Sequence, residues 1–339
     1  FAYMFVDVMS PLQSLIQTQR GWSPDAFGYY AGAEYILNVF GFLILAGIIL
    51  DKMGIRFTGT LSASLMVIGA FIKLYAISDI FQGTALDQWL NSWWVEMPGS
   101  AKLAAFGFMI FGCGCEMAGI TVSKALAKWF EGKEMALAMG AEMAIARLGV
   151  FVIFSISPRL ANWMGTPSVV IPVAFCSALL CIGLLSYIVF TFMDTKLDKE
   201  MGAAKLAAEE ASEEEFKLSD VGAIFRSKLF WIVALLCVLY YSAIFPFQRY
   251  AANMLQCNLG ISETQASDIF RWFPVGAGLL TPFLGFFLDK KGKGASMLIL
   301  GAILMIVCHL TFAFVVPATK SELITYLSLI HISEPTRPY

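Results

Sequence analysis

The 339 residues are 58% hydrophobic and 14% charged, with a mean hydropathy of +0.73 and a formal net charge of −2. An ordinary soluble domain is about 25% charged, so this composition excludes a soluble globular protein and gives no support for a nucleic-acid partner. Apolar runs of about 20 residues read instead as a polytopic α-helical protein lying in a lipid bilayer.

Metal and hydrolytic chemistry find little footing. The 7 cysteines are scattered through apolar runs, and Cys113-x-Cys115 has no third or fourth ligand nearby, so packing is the better reading. With 2 histidines in the chain, and His309 alone in its span, no cofactor and no enzymatic activity are expected.

In chain order, residues 1–18 make a span of about 27 Å, interrupted by Asp7 and Pro11. Ser23 and Pro24 read as the N-cap and first residue of a second span, about 26–50, which carries Tyr30 and Glu34. A third span covers about 57–78, with Lys73 near its far end expected to snorkel to the interface. Trp89, Trp93 and Trp94 read as an interfacial belt on the outer side. Spans 4 (about 103–127) and 5 (about 135–157) carry Glu116, Glu142 and Arg147, and span 6 covers about 168–192. The charged segment 193–228, with Glu213-Glu214-Glu215, reads as a solvated, partly helical linker. Span 7 (about 229–254) holds Phe247, Gln248 and Arg249; span 8 (about 265–288) holds Asp268, Arg271 and Trp272; span 9 covers about 296–317.

A repeated loop organises these spans. Gly47-Ile-Ile-Leu-Asp51-Lys-Met-Gly54-Ile-Arg56 returns as Gly285-Phe-Phe-Leu-Asp289-Lys-Lys-Gly292-Lys-Gly294, each copy between apolar runs. Gly47 and Gly285 are expected to let helices approach closely, and Gly54 and Gly292 to take a positive-φ turn. With the first copy in the cytoplasm, Lys52, Arg56, Lys124, Lys128, Lys133, the basic residues of 193–228 and Lys290, Lys291 and Lys293 all lie inside. Arg20, Lys102, Arg159 and Lys320 fall outside, in agreement with the positive-inside rule.

The repeated motif resembles the loop between the second and third helices of each half of a major facilitator superfamily transporter. The resemblance implies an all-α membrane protein with two six-helix bundles, of which the first and about half of the second are present. Its parts would be a first bundle (1–192), a cytoplasmic linker (193–228), three helices of a second bundle (229–317) and an outer loop (318–326). Residues 327–339 look like the translation of a sequencing adapter, and a chain lacking three helices is expected to be inactive. The resemblance also gives Asp51 a role in closing the cytoplasmic side against the other half, supported by Arg56. Gly47, Gly54, Gly285, Asp289 and Gly292 would then be structural and gating residues.

Charges within spans cost about 2.5–3.5 kcal/mol each and call for a partner or a cavity. Glu116 and Arg147 fall near the middle of two spans joined by a hairpin. They read either as a structural ion pair or as a split clamp for an ammonium and a carboxylate. Phe5-Val-Asp7-Val-Met-Ser-Pro11, Trp129-Phe130-Glu-Gly-Lys133 and Ala-Arg147-Leu-Gly149 resemble the branch of lysosomal dipeptide transporters and their bacterial relatives. In that branch an acid on helix 4 and an arginine on helix 5 hold a dipeptide, which implies Glu116 and Arg147 here. Tyr30, Glu34, Gln248, Arg249 and Arg271 are further lining candidates, and Asp7 and Glu142 are candidates to carry a coupling proton. The expectation is a monomeric dipeptide carrier of a bacterial inner membrane. The alternatives are an organic-anion carrier using Arg147, and a non-transporting receptor or scaffold whose linker binds a partner.

Overall fold

The computed structural model describes residues 1–130, 135–201, 222, 224–276 and 294–332. Among these no strand occurs, as hydrocarbon requires of a chain that must satisfy its backbone polar groups within each segment. The helices are α1 (Ala2–Asp7), α2 (Gln13–Arg20), α3 (Pro24–Ala33), α4 (Ile36–Val39), α5 (Phe42–Ile77), α6 (Ala85–Asn91) and α7 (Gly99–Trp129). They continue as α8 (Met135–Ala161), α9 (Val170–Met201), α10 (Lys228–Leu259), α11 (Glu263–Phe270), α12 (Gly294–Leu310), α13 (Val316–Thr319) and α14 (Glu322–Ile332). Among the described residues six helices are long and apolar enough to cross a membrane, where the sequence suggested nine spans.

Several boundaries move for local reasons. The first span breaks after Asp7 into a 3-10 turn at Ser10–Leu12, because Pro11 has no N–H to give the Asp7 carbonyl. The second span breaks at Glu34-Tyr35 and again at Phe40-Gly41. α5 is two helices joined at Gly54, whose φ of 73° and ψ of 173° make the turn expected of it. α9 runs on to Met201, so Asp194 and Asp198 belong to a helix and not to the linker. α14 occupies residues read as outer loop and tail. Glu213-Glu214-Glu215 and the second motif copy, with Gly285, Asp289 and Gly292, lie outside the described residues.

By contact the chain forms two compact units, interleaved in sequence. One is Phe1–Pro24, Gly132–Cys176 and Ala243–Tyr339; the other is Asp25–Glu131 and Ser177–Ser242. Helices of the first expected bundle therefore contribute to both units. In the second unit α5 packs along α7. A Cβ on Gly107 would stand 2.7 Å from the Gly69 carbonyl oxygen and 2.8 Å from the Lys73 nitrogen, so the two backbones touch there. Gly47, from which close approach was expected, has nothing within 4 Å of a Cβ among the described residues. Gly69 and Gly107, with Gly114 against Ser62 further along, are small residues that let α5 and α7 meet in this unit. Gly107→Leu is expected to force α5 and α7 apart at a cost of about 3 kcal/mol, read as a lower melting temperature in detergent. Gly47→Ala should melt with the parent.

Lys73 does not snorkel. It is 0% exposed, with Nζ 5.2 Å from the centre of the Tyr30 ring and 4.8 Å from that of Phe108, which stack 4.9 Å apart. The close backbone contact at Gly107 holds this stretch of α5 against α7, and the ring faces take the ammonium. Trp94 is 92% exposed, and Trp89 meets Trp93 edge-on at 4.8 Å, in keeping with an interfacial belt.

Candidate functional site

In the first unit the polar site grows from the broken first span. A helix interrupted at Val8-Met9 leaves carbonyls without intrahelical donors. Side chains of other helices take them: Ser157 Oγ on α8 donates to the Val8 carbonyl at 2.8 Å, and Arg249 Nη1 on α10 donates to the Val6 carbonyl. Asp7, 1% exposed, ends α1 at this break. Its Oδ1 lies 3.3 Å from Arg249 Nη1, and its Oδ2 accepts from Gln248 Nε2 at 2.9 Å. Arg147 on α8 also acts on the carboxylate. Pro246 within α10 removes one helical N–H just before Gln248 and Arg249. Two turns along, Ser14 donates to Gln256 Oε1 at 2.8 Å and extends the polar seam.

Of four residues that the sequence named separately, Arg147, Gln248 and Arg249 therefore all act on the fourth, Asp7. Arg271 takes a different part: its Nη1 lies 3.0 Å from Asp268, which Arg159 also grips through both terminal nitrogens at 3.0 and 2.7 Å. Its guanidinium also faces the Phe151 and Trp272 rings, each at 5.7 Å. Glu142 is half-buried on α8, and Phe247 packs among Phe270, Phe273, His309 and Phe312.

Glu263 is a titratable group of this unit that sequence reading did not single out. It opens α11, ahead of the residues read as span 8, and accepts from the Leu15 backbone N–H in the first turn of α2. Its Oε1 is buried without a hydrogen-bond partner, and burial pushes the carboxyl from 4.5 up to about 7. The folded protein then holds a proton that the unfolded chain releases. Stability from this group is present below pH 4.5 and lost as pH rises through about 7. The loss is up to about 3 kcal/mol. Glu263→Gln is expected to flatten the fall in melting temperature between pH 5 and 8 (roughly the window of the shift).

The second unit holds Tyr30 and Glu34, both buried, the latter in the break between α3 and α4. Glu116 is half-buried on α7. Glu116 belongs to this unit and Arg147, its expected partner in the clamp, to the first. At the α7 end of the unit, Asp194 of α9 is 0% exposed and gathers three donors. These are Arg56 Nε at 2.7 Å, Lys128 Nζ at 3.0 Å and Trp129 Nε1 at 2.9 Å. Asp198 adds Lys128 at 2.6 Å and a further contact to Arg56. Arg56 therefore serves Asp194 and Asp198, while Asp51 meets Lys124 at 3.3 Å. Beneath them Leu50, Ile55 and Ala125 pack with Ile120 and Phe190.

The sequence profile of the Major Facilitator Superfamily matches residues 1–255, and the chain belongs to that family. It is an integral multi-pass membrane protein. The chain is similar to the lysosomal dipeptide transporter MFSD1 of Danio rerio, 30% identical over 329 residues, covering 92% of this chain and 64% of that protein. It is likewise 25% identical to human MFSD1 over 300 residues, covering 85% of this chain and 57% of the relative. The chain thus spans roughly three-fifths of the length of these relatives. Among solved structures, the xylose transporter XylE from E. coli superimposes with a TM-score of 0.67 at 15% identity, covering 98% of this chain and 82% of that one. The nucleoside transporter NupG gives a TM-score of 0.66 at 14% identity, covering 98% and 77%. These likenesses concern the fold.

Proposed function

We propose that this protein is a transporter and not an enzyme, carrying a small zwitterionic solute, dipeptides first, by alternating access between two six-helix bundles. One observation carries the reading: a discontinuous first helix whose opened backbone, with Asp7, Gln248, Arg249 and Arg147, makes a polar constellation inside an apolar bundle. The name of its relatives supplies the solute class. Arg147 would hold the carboxylate and Glu116 the ammonium, with Tyr30, Glu34, Gln248, Arg249 and Arg271 lining the path. Asp51 and Arg56, with the repeated Gly47, Gly54, Gly285, Asp289 and Gly292, would govern the cytoplasmic gate. Asp7 and Glu142 would carry a proton if transport is driven. The protein would act as a monomer in a bacterial inner membrane, which co-sedimentation with the inner-membrane fraction tests.

The test is uptake of labelled dialanine into proteoliposomes by the product of the complete reading frame, with and without a pH gradient. Arg147→Ala is expected to lower uptake at least 100-fold (on the order of 3 kcal/mol). Saturable uptake unchanged in that variant would sink the clamp. Two guanidiniums acting on one carboxylate favour a second reading, a carrier of simple organic anions. Glu116→Gln separates the two, since a dipeptide carrier loses uptake and an anion carrier keeps most of it.

A further inference from the structure

Glu263 is the first residue of α11, where the open N–H groups of the first turn ordinarily favour an ionised acid. It is used otherwise here. The Ser262–Gln265 capping box already serves the start of α11, and the Glu263 carboxyl meets the first turn of α2 instead. It accepts from the Leu15 N–H, and its Oε1 is buried with no hydrogen-bond partner among the described residues. The charged groups on the elements packed against α11 offer it no counter-ion. Arg159 of α8 and Arg271 both hold Asp268, and Glu322 of α14 has the same sign as Glu263. Glu142 and Arg147 lie about three turns or more further along α8. Tyr326 of α14 is a neutral phenol, the turn Ser10–Leu12 carries no charge, and Arg20 stands at the far end of α2. A carboxylate ion held there by a single N–H would be poorly satisfied, so the site suits the neutral acid. The same stretch of the first span is joined to α10 by groups that do not titrate. Ser14 donates to Gln256 Oε1 at 2.8 Å, and Asn253 Nδ2 donates to Ser14 Oγ at 3.4 Å.

We propose that Glu263 is a proton-binding latch, which holds α2 to α10 and α11 while it is neutral and releases them when its proton leaves. With the orientation read from the basic residues, this seam lies on the outer side of the membrane. A proton taken up there closes the outer side over the transport path, and its loss opens it. The sign follows from the two environments. In the parted state water reaches the carboxyl and it titrates near 4.5, whereas the latched carboxyl keeps its proton up to about 7. The latch is therefore at full strength below pH 4.5 and weakens as pH rises through about 7. The change is about tenfold per pH unit and roughly 300-fold in all. The inference rests on the reading that the protein works by alternating access, but its first test needs no solute.

The first test is the distance between two spin labels in the product of the complete reading frame, held in lipid nanodiscs and titrated from about pH 5 to 8. One label sits at Gln17→Cys, exposed on α2, and the other on Cys257, exposed near the end of α10, with the remaining cysteines replaced by alanine. A short distance should dominate at low pH, and a longer one should gain at least tenfold in relative population as pH rises. Glu263→Gln is neutral at every pH and can still accept from the Leu15 N–H, so it should keep the short distance throughout. Should that variant fail to fold, Glu263→Leu takes its place with the same expectation. A parent distance that ignores pH, or an equal response in the neutral variant, overturns the proposal. The proton is read separately by infrared difference spectra between the two ends of the titration. The parent should lose a protonated-carboxyl band that Glu263→Gln lacks, and identical spectra would also overturn the proposal. If the complete protein takes up no dialanine at any pH, the dipeptide reading fails, while the labels still decide the latch.

Discussion

Arg249→Ala is expected to cost about 3 kcal/mol and to lower the melting temperature of the detergent-solubilised protein by several degrees. Asp7 would remain 1% exposed with the guanidinium 3.3 Å from its Oδ1 removed. The Val6 carbonyl at the helix break would lose its donor as well. The control is Arg249→Met combined with Asp7→Asn, which removes both charges and keeps most of the volume. That double variant should recover most of the loss, because the cost lies in the charge left behind and less in the pair itself. If Arg249→Ala melts with the parent, the buried pair does not exist as described.

A second large effect is expected at the Asp194 cluster of the second unit. Asp194→Ala strands Arg56, Lys128 and Trp129 around an empty place at 0% exposure, leaving Asp198 to serve two cations. The expected cost is about 3 kcal/mol, seen as a lower melting temperature and faster proteolysis near the end of α9. Asp51→Ala is the contrast. Its pair with Lys124 has side chains 39% and 28% exposed, so solvent already screens most of the interaction. Less than about 1 kcal/mol should be lost. Equal damage from the two variants would mean that the motif aspartate is buried in the working protein.

Much of this architecture was legible in the sequence because the bilayer imposes few choices. Length and hydropathy placed the long helices, and the repeated Gly-x-x-Leu-Asp-Lys-x-Gly pointed to the family and to the turn at Gly54. Pro11 and Asp7 announced the break in the first span. Misreadings came where a residue has two ordinary uses. Lys73 near a helix end reads as a snorkelling lysine, but the Gly69–Gly107 contact places it behind Tyr30 and Phe108. The close approach of α5 to α7 is made at Gly69 and Gly107, which sequence reading did not single out, since a glycine in an apolar run carries no mark of what lies opposite. Asp194 was taken for the edge of a linker, because its partners Arg56 and Lys128 are distant in sequence.

The sequence by itself determined the class: a membrane-embedded helical chain of the major facilitator kind, with acids and arginines inside its spans. These are properties of local composition and period, which the bilayer reads one helix at a time. Only the tertiary structure decided which buried charge meets which. Asp7 and Arg249 lie 242 residues apart, and Arg56 and Asp194 lie 138 apart. Neither pairing leaves a periodic trace. Pairing over such separations follows from helix packing, and packing depends on shapes that no single stretch of sequence contains.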